Sequence, residues 1–176
     1  YILIISDAQY VLGSSDRLFG YYEEALKHFE LVLDYAESAG YSEGVAKAYY
    51  GMGSVHQRQG NYELGLEVLD KSMEIRESLN DRKGISDIFS IKGVIFYNKG
   101  AFAEALSFHN KTLEIKAEID DQKGLATTYN NIGAVYVGIG EYPQSLEFFL
   151  KSIEVKEKMG LRNALSKSYS NIGVIN

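Results

Sequence analysis

The chain has 176 residues, 45% of them hydrophobic and 24% charged, with 18 Lys and Arg against 24 Asp and Glu. That balance supplies the core of one globular domain and excludes a disordered chain. The net charge of −6 argues against nucleic acid or an anionic membrane as the main partner, and the lack of cysteine excludes disulfides, thiolate metal sites and cysteine nucleophiles.

From the first residue, Tyr1–Ile5 is apolar but has no basic flank, so it does not read as a signal peptide. No apolar run reaches the roughly 18 residues of a membrane span. Gly20, Gly60, Gly100 and Gly140 then recur every 40 residues, as do Gly13, Gly53, Gly93, Gly133 and Gly173. Sliding residues 81–120 onto 121–160 without a gap gives 10 identities in 40, among them Asp81, Lys83, Gly84, Leu106, Phe108 and Lys116. This is an internal repeat, with units at about 5–40, 45–80, 85–120 and 125–160 and a partial fifth at 164–176. The pattern breaks off mid-unit, and a piece of a longer protein is expected.

Within a unit the apolar spacing is helical: Leu146, Phe149 and Ile153 follow one stripe, and Tyr129, Ile132, Gly133 and Tyr136 another. Each unit is therefore two antiparallel helices, giving an all-α chain of four helix pairs plus a ninth helix. The glycines at 20, 60, 100 and 140 suit the turn inside a pair, where a helix end wants positive φ. Polar stretches such as Asn80–Gly84 join one pair to the next. Pro143 falls in a first helical turn, where a missing N–H is harmless. Glycine inside a helix costs about 1 kcal/mol against Ala, so Gly13 and its equivalents need a reason. Close approach of the second helix supplies one, with Ala25, Gly65, Ala105 and Ser145 as the matching contact points.

Tyr129-x2-Ile132-Gly133-x2-Tyr136 followed by Ser145-x3-Phe149 resembles the tetratricopeptide pattern W-x2-L-G-x2-Y followed by A-x3-F. Phe89-x2-Lys92-Gly93-x2-Phe96 with Ala105-x3-His109, and Tyr49-x2-Met52-Gly53-x2-His56, repeat it; Gln9-x2-Leu12-Gly13-x2-Asp16 is a degenerate copy. The resemblance covers essentially the whole chain. It departs in lacking the closing proline and in its period of 40 instead of 34, which resembles the long-repeat arrays of bacterial signalling proteins. It implies a right-handed α-α superhelix whose first helices line a groove for a peptide or partner domain.

Residues that could carry chemistry mostly read as structure. His28, His56 and His109 occupy positions held by aromatics in other repeats and read as partly buried core histidines; none lies at i, i+3 or i+4 from another, so no helical metal pair forms. Gly51-Met52-Gly53 and Gly138-Ile139-Gly140 lack the strand and the Lys-Ser/Thr of a phosphate loop. Asp120-Asp121 lacks calcium-loop spacing and reads as a helix start. Asn110-Lys111-Thr112 spells a glycosylation sequon inside a helix. The charges of Glu114-Lys116-Glu118 and Glu154-Lys156-Glu157-Lys158 read as solvated faces. Catalysis, cofactors and metal binding are not expected.

By offset from the repeat glycine, the groove surface is expected to comprise Tyr10, Tyr50, Arg58, Ile91, Val94, Tyr97, Asn98, Asn130, Asn131, Ala134, Lys167 and Asn171. Gly51, Ser54 and Gly138 fall in the same register. Asn131 and Asn171 are 40 apart, on neighbouring helices, and suit the amides of an extended peptide. Some family members clamp a terminal carboxylate with Lys and Asn over three repeats; Lys167, Asn171 and Asn131 match only part of that clamp, with Ser90 and Val94 where it wants Lys and Asn. The expected role is a protein-interaction module, by resemblance the regulatory part of a bacterial signalling protein, cytoplasmic or, if a leader and membrane helix lie outside this piece, a periplasmic sensor. The alternative is a self-associating module that dimerises through Ile172 and Ile175.

Overall fold

The computed structural model describes residues 1–161 and Gly173, and the described residues form eight α-helices. They come in pairs on the 40-residue period: α1 (Ile2–Phe19) with α2 (Tyr22–Ser38), α3 (Ser42–Gln59) with α4 (Tyr62–Ser78), α5 (Arg82–Asn98) with α6 (Phe102–Glu118), and α7 (Gln122–Ile139) with α8 (Tyr142–Lys158). The partial fifth repeat and the expected ninth helix lie outside the described residues. The chain divides into two compact units, Tyr1–Ile88 and Phe89–Asn176.

One device ends all eight helices. The residue after each is left-handed or is followed by one that is: Gly20, Gly40, Gly60, Gly100, Gly140 and Gly160 at φ 64 to 88, and Asn80 and Asp120 at φ 54. The next N–H then reaches back five residues to a helical carbonyl, Tyr21 to Asp16 and Tyr41 to Ala36 at 2.8 Å, Asp81 to Arg76 and Asp121 to Lys116 at 2.9 Å. This satisfies carbonyls the helix leaves open. Asn and Asp are the side-chain-bearing residues that visit this region most readily, so positions 80 and 120 can dispense with glycine. Asp120 is therefore a turn residue, and the helix starts at its neighbour, in correction of the expectation that both acids begin it.

In the first unit α1 packs on α2 and α3, α2 on α3, and α3 on α4. One core cluster is Ala25, Phe29 and Val55, with Tyr10, Tyr22, Leu26 and Met52 around them. In the second unit α6 packs on α7 and α7 on α8. The Phe108 ring lies 5.9 Å from Phe89 and 5.3 Å from Phe96, and the Phe148 ring 6.2 Å from Tyr129 and 5.5 Å from Tyr136. These pairs bracket Gly93 and Gly133, which explains the aromatic spacing of the repeat.

The glycines sit where the two helices of a pair touch. A Cβ on Gly13 would stand 2.9 Å from the Phe29 ring, on Gly53 2.6 Å from Leu69, on Gly93 2.5 Å from His109, and on Gly133 2.7 Å from Phe149. Real Cβ contacts do not come that close, and the four partners are themselves 40 residues apart. On the facing helix Ala25, Gly65, Ala105 and Ser145 are buried, and the Ser145 hydroxyl donates to the Gly133 carbonyl at 2.9 Å. Gly173's surroundings lie outside the described residues.

Three basic residues are buried, Arg76, Lys92 and Lys116, the last of them against expectation. Arg76 is 8% exposed and pairs with Asp81; Lys116 is 5% exposed and pairs with Asp121 at 2.8 Å. The same carboxylates accept from the N–H groups of Gly84 at 2.9 Å and Gly124 at 2.8 Å, capping α5 and α7. Lys116 is thus no solvated charge but a tie from the end of α6 to the start of α7. Lys158, by contrast, pairs with Glu154 on an exposed face at 2.7 Å, as expected.

Candidate functional site: the first-helix surface

In the first unit α1 and α3 carry Tyr10, Tyr50 and Arg58. Tyr10 is half-buried, its ring 5.7 Å from that of Phe29; Arg58, in the last turn of α3, is exposed. Tyr50 is half-buried too, with the Arg76 guanidinium 5.5 Å from its ring centre. Burial, helped by Asp87 and Tyr10 nearby, pushes its phenol up to about 12, so it stays protonated at neutral pH. Beside it Lys47 pairs with Glu43 at 2.8 Å and reaches Asp7 on α1 at 3.6 Å. Burial opposes its charge, but bonds to Glu43 and Tyr41 outweigh that and hold the ammonium above its ordinary value. Gly51 and Ser54 do not belong to this surface: both are buried, and Gly51 takes the Phe29 ring against its backbone.

In the second unit Ile91, Val94, Tyr97 and Asn98 lie on α5 and Asn130, Asn131 and Ala134 on α7; Asn98 is exposed and the others are half-buried. Val94, Tyr97, Asn98, Asn131 and Ala134 come together around one cavity of about 180 Å³, and the sixth lining residue is His109 of α6. The Tyr97 ring is steadied by Phe102, 5.9 Å away. Ile91 and Asn130 do not line this cavity, and Lys167 and Asn171 lie outside the described residues. Among the described residues no cluster of three His, Cys, Asp or Glu could hold a metal ion, and no helix is long and apolar enough to cross a membrane.

His109 is the residue that sequence reasoning placed in the core without seeing what it borders. It is 1% exposed, its Nδ1 has no hydrogen-bond partner, and burial holds its ring down to about 4 from the ordinary 6.5. It is neutral at physiological pH. The sequence signal was available: a polar ring where other repeats carry Phe29, Leu69 and Phe149.

Residues 5–78, 44–116 and 84–158 each match the family model described as tetratricopeptide repeat. The chain belongs to the tetratricopeptide repeat family. No curated protein matches it in sequence. Among solved structures it is similar to aspartyl phosphate phosphatase F from Bacillus subtilis, with a TM-score of 0.88 at 11% identity over 97% of this chain and 45% of that one. A Rap protein complexed with competence and sporulation factor superposes with a TM-score of 0.86 at 14% identity, covering 99% of this chain and 49% of that one. NprR in complex with its cognate peptide NprX gives 0.77 at 20% identity, covering 99% and 50%. At these identities the likeness is one of fold, and the tetratricopeptide chain spans about half the length of each.

Proposed function

We propose that the chain is a protein-interaction scaffold that holds an extended peptide or partner segment on its first-helix surface, as the regulatory part of a bacterial signalling protein. The observation that carries this reading is the cavity between α5 and α7: five of its six lining residues are those that the repeat register assigns to a ligand-facing surface. Asn98 and Asn131 each offer a donor and an acceptor there, the complement of a peptide backbone. NprR, a structural neighbour in complex with a cognate peptide, supports the same reading by analogy of fold. The proposal also assigns ligand contact to Ile91 and Asn130 in the same unit and, separately, to Tyr10, Tyr50 and Arg58 in the first unit, and the module works in the cytoplasm. The test is selection from a random peptide display library on the immobilised chain, with Asn131→Ala as control. Selected peptides should lose at least about tenfold in affinity for the variant; peptides that bind both proteins equally, or none at all, would reject the reading.

Ile172 and Ile175, the face expected to self-associate, lie outside the described residues, and a second reading, self-association through α1 instead, has one observation in its favour. α1 exposes Ile4 at 71%, Val11 at 65% and Phe19 at 75%, more apolar surface than a lone helix face usually shows. Self-association through such a face would appear as a mass that rises with concentration in light scattering.

A further inference from the structure

The cavity over His109 has a physical origin that can be read from the repeat. Two units earlier in sequence the equivalent of His109 is Phe29, and the equivalent of Asn131 is Gly51. There the phenyl ring presses so close to the Gly51 backbone that a Cβ would stand 2.6 Å from it. In the second unit the smaller imidazole faces a side chain that carries its own amide, and about 180 Å³ stays open between them. That is room for about six waters, below the roughly 300 Å³ at which small-molecule sites begin, and it suits one side chain.

Its walls restrict which one. Val94, Ala134 and the Tyr97 ring are apolar, Asn98 and Asn131 are neutral amides, and none of the six lining residues is an acid, a lysine or an arginine. A charged anchor would lose its water and meet no countercharge. A purely apolar anchor would cover the imidazole at the floor without giving it a hydrogen-bond partner. A short hydroxyl side chain would reach the floor but leave the walls uncovered. What fits is a flat apolar body ending in a hydrogen-bond donor, because a neutral imidazole always keeps one acceptor nitrogen.

We propose that this cavity is a specificity pocket for one tyrosine side chain of the bound peptide, with His109 as its polar floor. The assignment rests on the peptide-scaffold reading above and adds the identity of one anchor.

The test uses the full chain, isotopically labelled, titrated with p-cresol, toluene and n-butylamine as stand-ins for tyrosine, phenylalanine and lysine side chains. Imidazole nitrogen signals of His109 and the methyl signal of Ala134 report entry. p-Cresol should move both saturably and bind about fivefold more tightly than toluene, and n-butylamine should move neither. His109→Phe gives the residue found at Phe29 and Phe149, where it packs against a repeat glycine as His109 does against Gly93, so the variant is expected to fold. Its larger ring takes up part of the cavity and offers no acceptor, so both probes should bind more weakly and p-cresol should keep no advantage over toluene. Equal affinity of the two probes for the natural chain, a preference that survives His109→Phe, or no shift at Ala134 would each overturn the assignment. Display-selected peptides that bind while p-cresol does not enter would sink the pocket and leave the scaffold reading standing. Entry of p-cresol with no peptide selected would sink the scaffold reading and the peptide anchor with it, leaving only a cavity that takes a phenol.

Discussion

Replacing Gly65 and Gly133 by alanine makes the same chemical change at two buried helix glycines, yet the two should move stability in opposite directions. A helix interior favours Ala over Gly by about 1 kcal/mol, and both variants collect that gain. At Gly65 the new methyl would lie 3.5 Å from the Gly53 carbonyl and from the His56 side chain, which is ordinary contact, and Ala25 and Ala105 already occupy the equivalent positions. Gly65→Ala should therefore stabilise by about 1 kcal/mol. At Gly133 the methyl would fall 2.7 Å from two ring atoms of Phe149, a side chain only 2% exposed. Overpacking of that kind costs about 1–3 kcal/mol. It also pushes α8 outward and strains the Ser145 hydroxyl bond to the Gly133 carbonyl, worth about 1 kcal/mol more. The net for Gly133→Ala is a loss of about 1–3 kcal/mol. For a chain of this length each kcal/mol is about 2–4 °C in Tm, so circular dichroism melts should separate the variants by roughly 4–16 °C, with urea midpoints in the same order. Shifts of the same sign would refute the close-contact account of the repeat glycine, and an unchanged Gly133→Ala would show that α7 and α8 can part at no cost.

Acid should destabilise the fold through His109: its folded value near 4 lies below the unfolded 6.5, so the unfolded chain binds more protons between the two. Stability is full above about pH 6.5 and falls as pH drops towards 4, by about 3 kcal/mol from this ring, with His56 acting in the same direction. His109→Phe should flatten that slope in urea unfolding at pH 7 and pH 5. Asp121→Ala should cost about 2–3 kcal/mol, more than the roughly 1 kcal/mol of an ordinary N-cap, because it also strips a carboxylate from buried Lys116. Adding Lys116→Met should recover part of that loss in a double-mutant cycle, whereas strict additivity would rule out the coupling. Asn131→Ala should leave Tm within about 2 °C, since it removes no core contact, while weakening display-selected peptides by at least about tenfold in titration calorimetry.

Structural likeness at 11–20% identity reaches proteins about twice as long, and it is the repeat geometry, not residue identity, that is shared. That geometry tolerates divergence because its requirements are few. Each period needs a left-handed residue at two turns and a small residue at two facing points, and in the last two periods aromatics also flank the glycine. Where those requirements are met by another residue, the fold persists: Asn80 and Asp120 replace the turn glycine, and His109 replaces the phenyl ring opposite Gly93.

The eight helices, their pairing and the contact role of Gly13, Gly53, Gly93 and Gly133 were legible in the amino-acid order. Each depends on neighbours within one 40-residue period, and that period is written out four times. Helical spacing told which face each residue shares. It could not tell how deep a long side chain would sink. Lys116 and Lys158 look alike in sequence, both near the end of a second helix. Only the packed structure buries one against Asp121 and leaves the other on an exposed face with Glu154. The cavity followed the same rule. Val94, Tyr97, Asn98, Asn131 and Ala134 could be assigned to one surface by register, but the open space among them depends on the size of His109, which comes from a third helix beneath. Local periodicity determines which residues face the same way; the volume left between three helices is a tertiary quantity, decided by which side chains fill it.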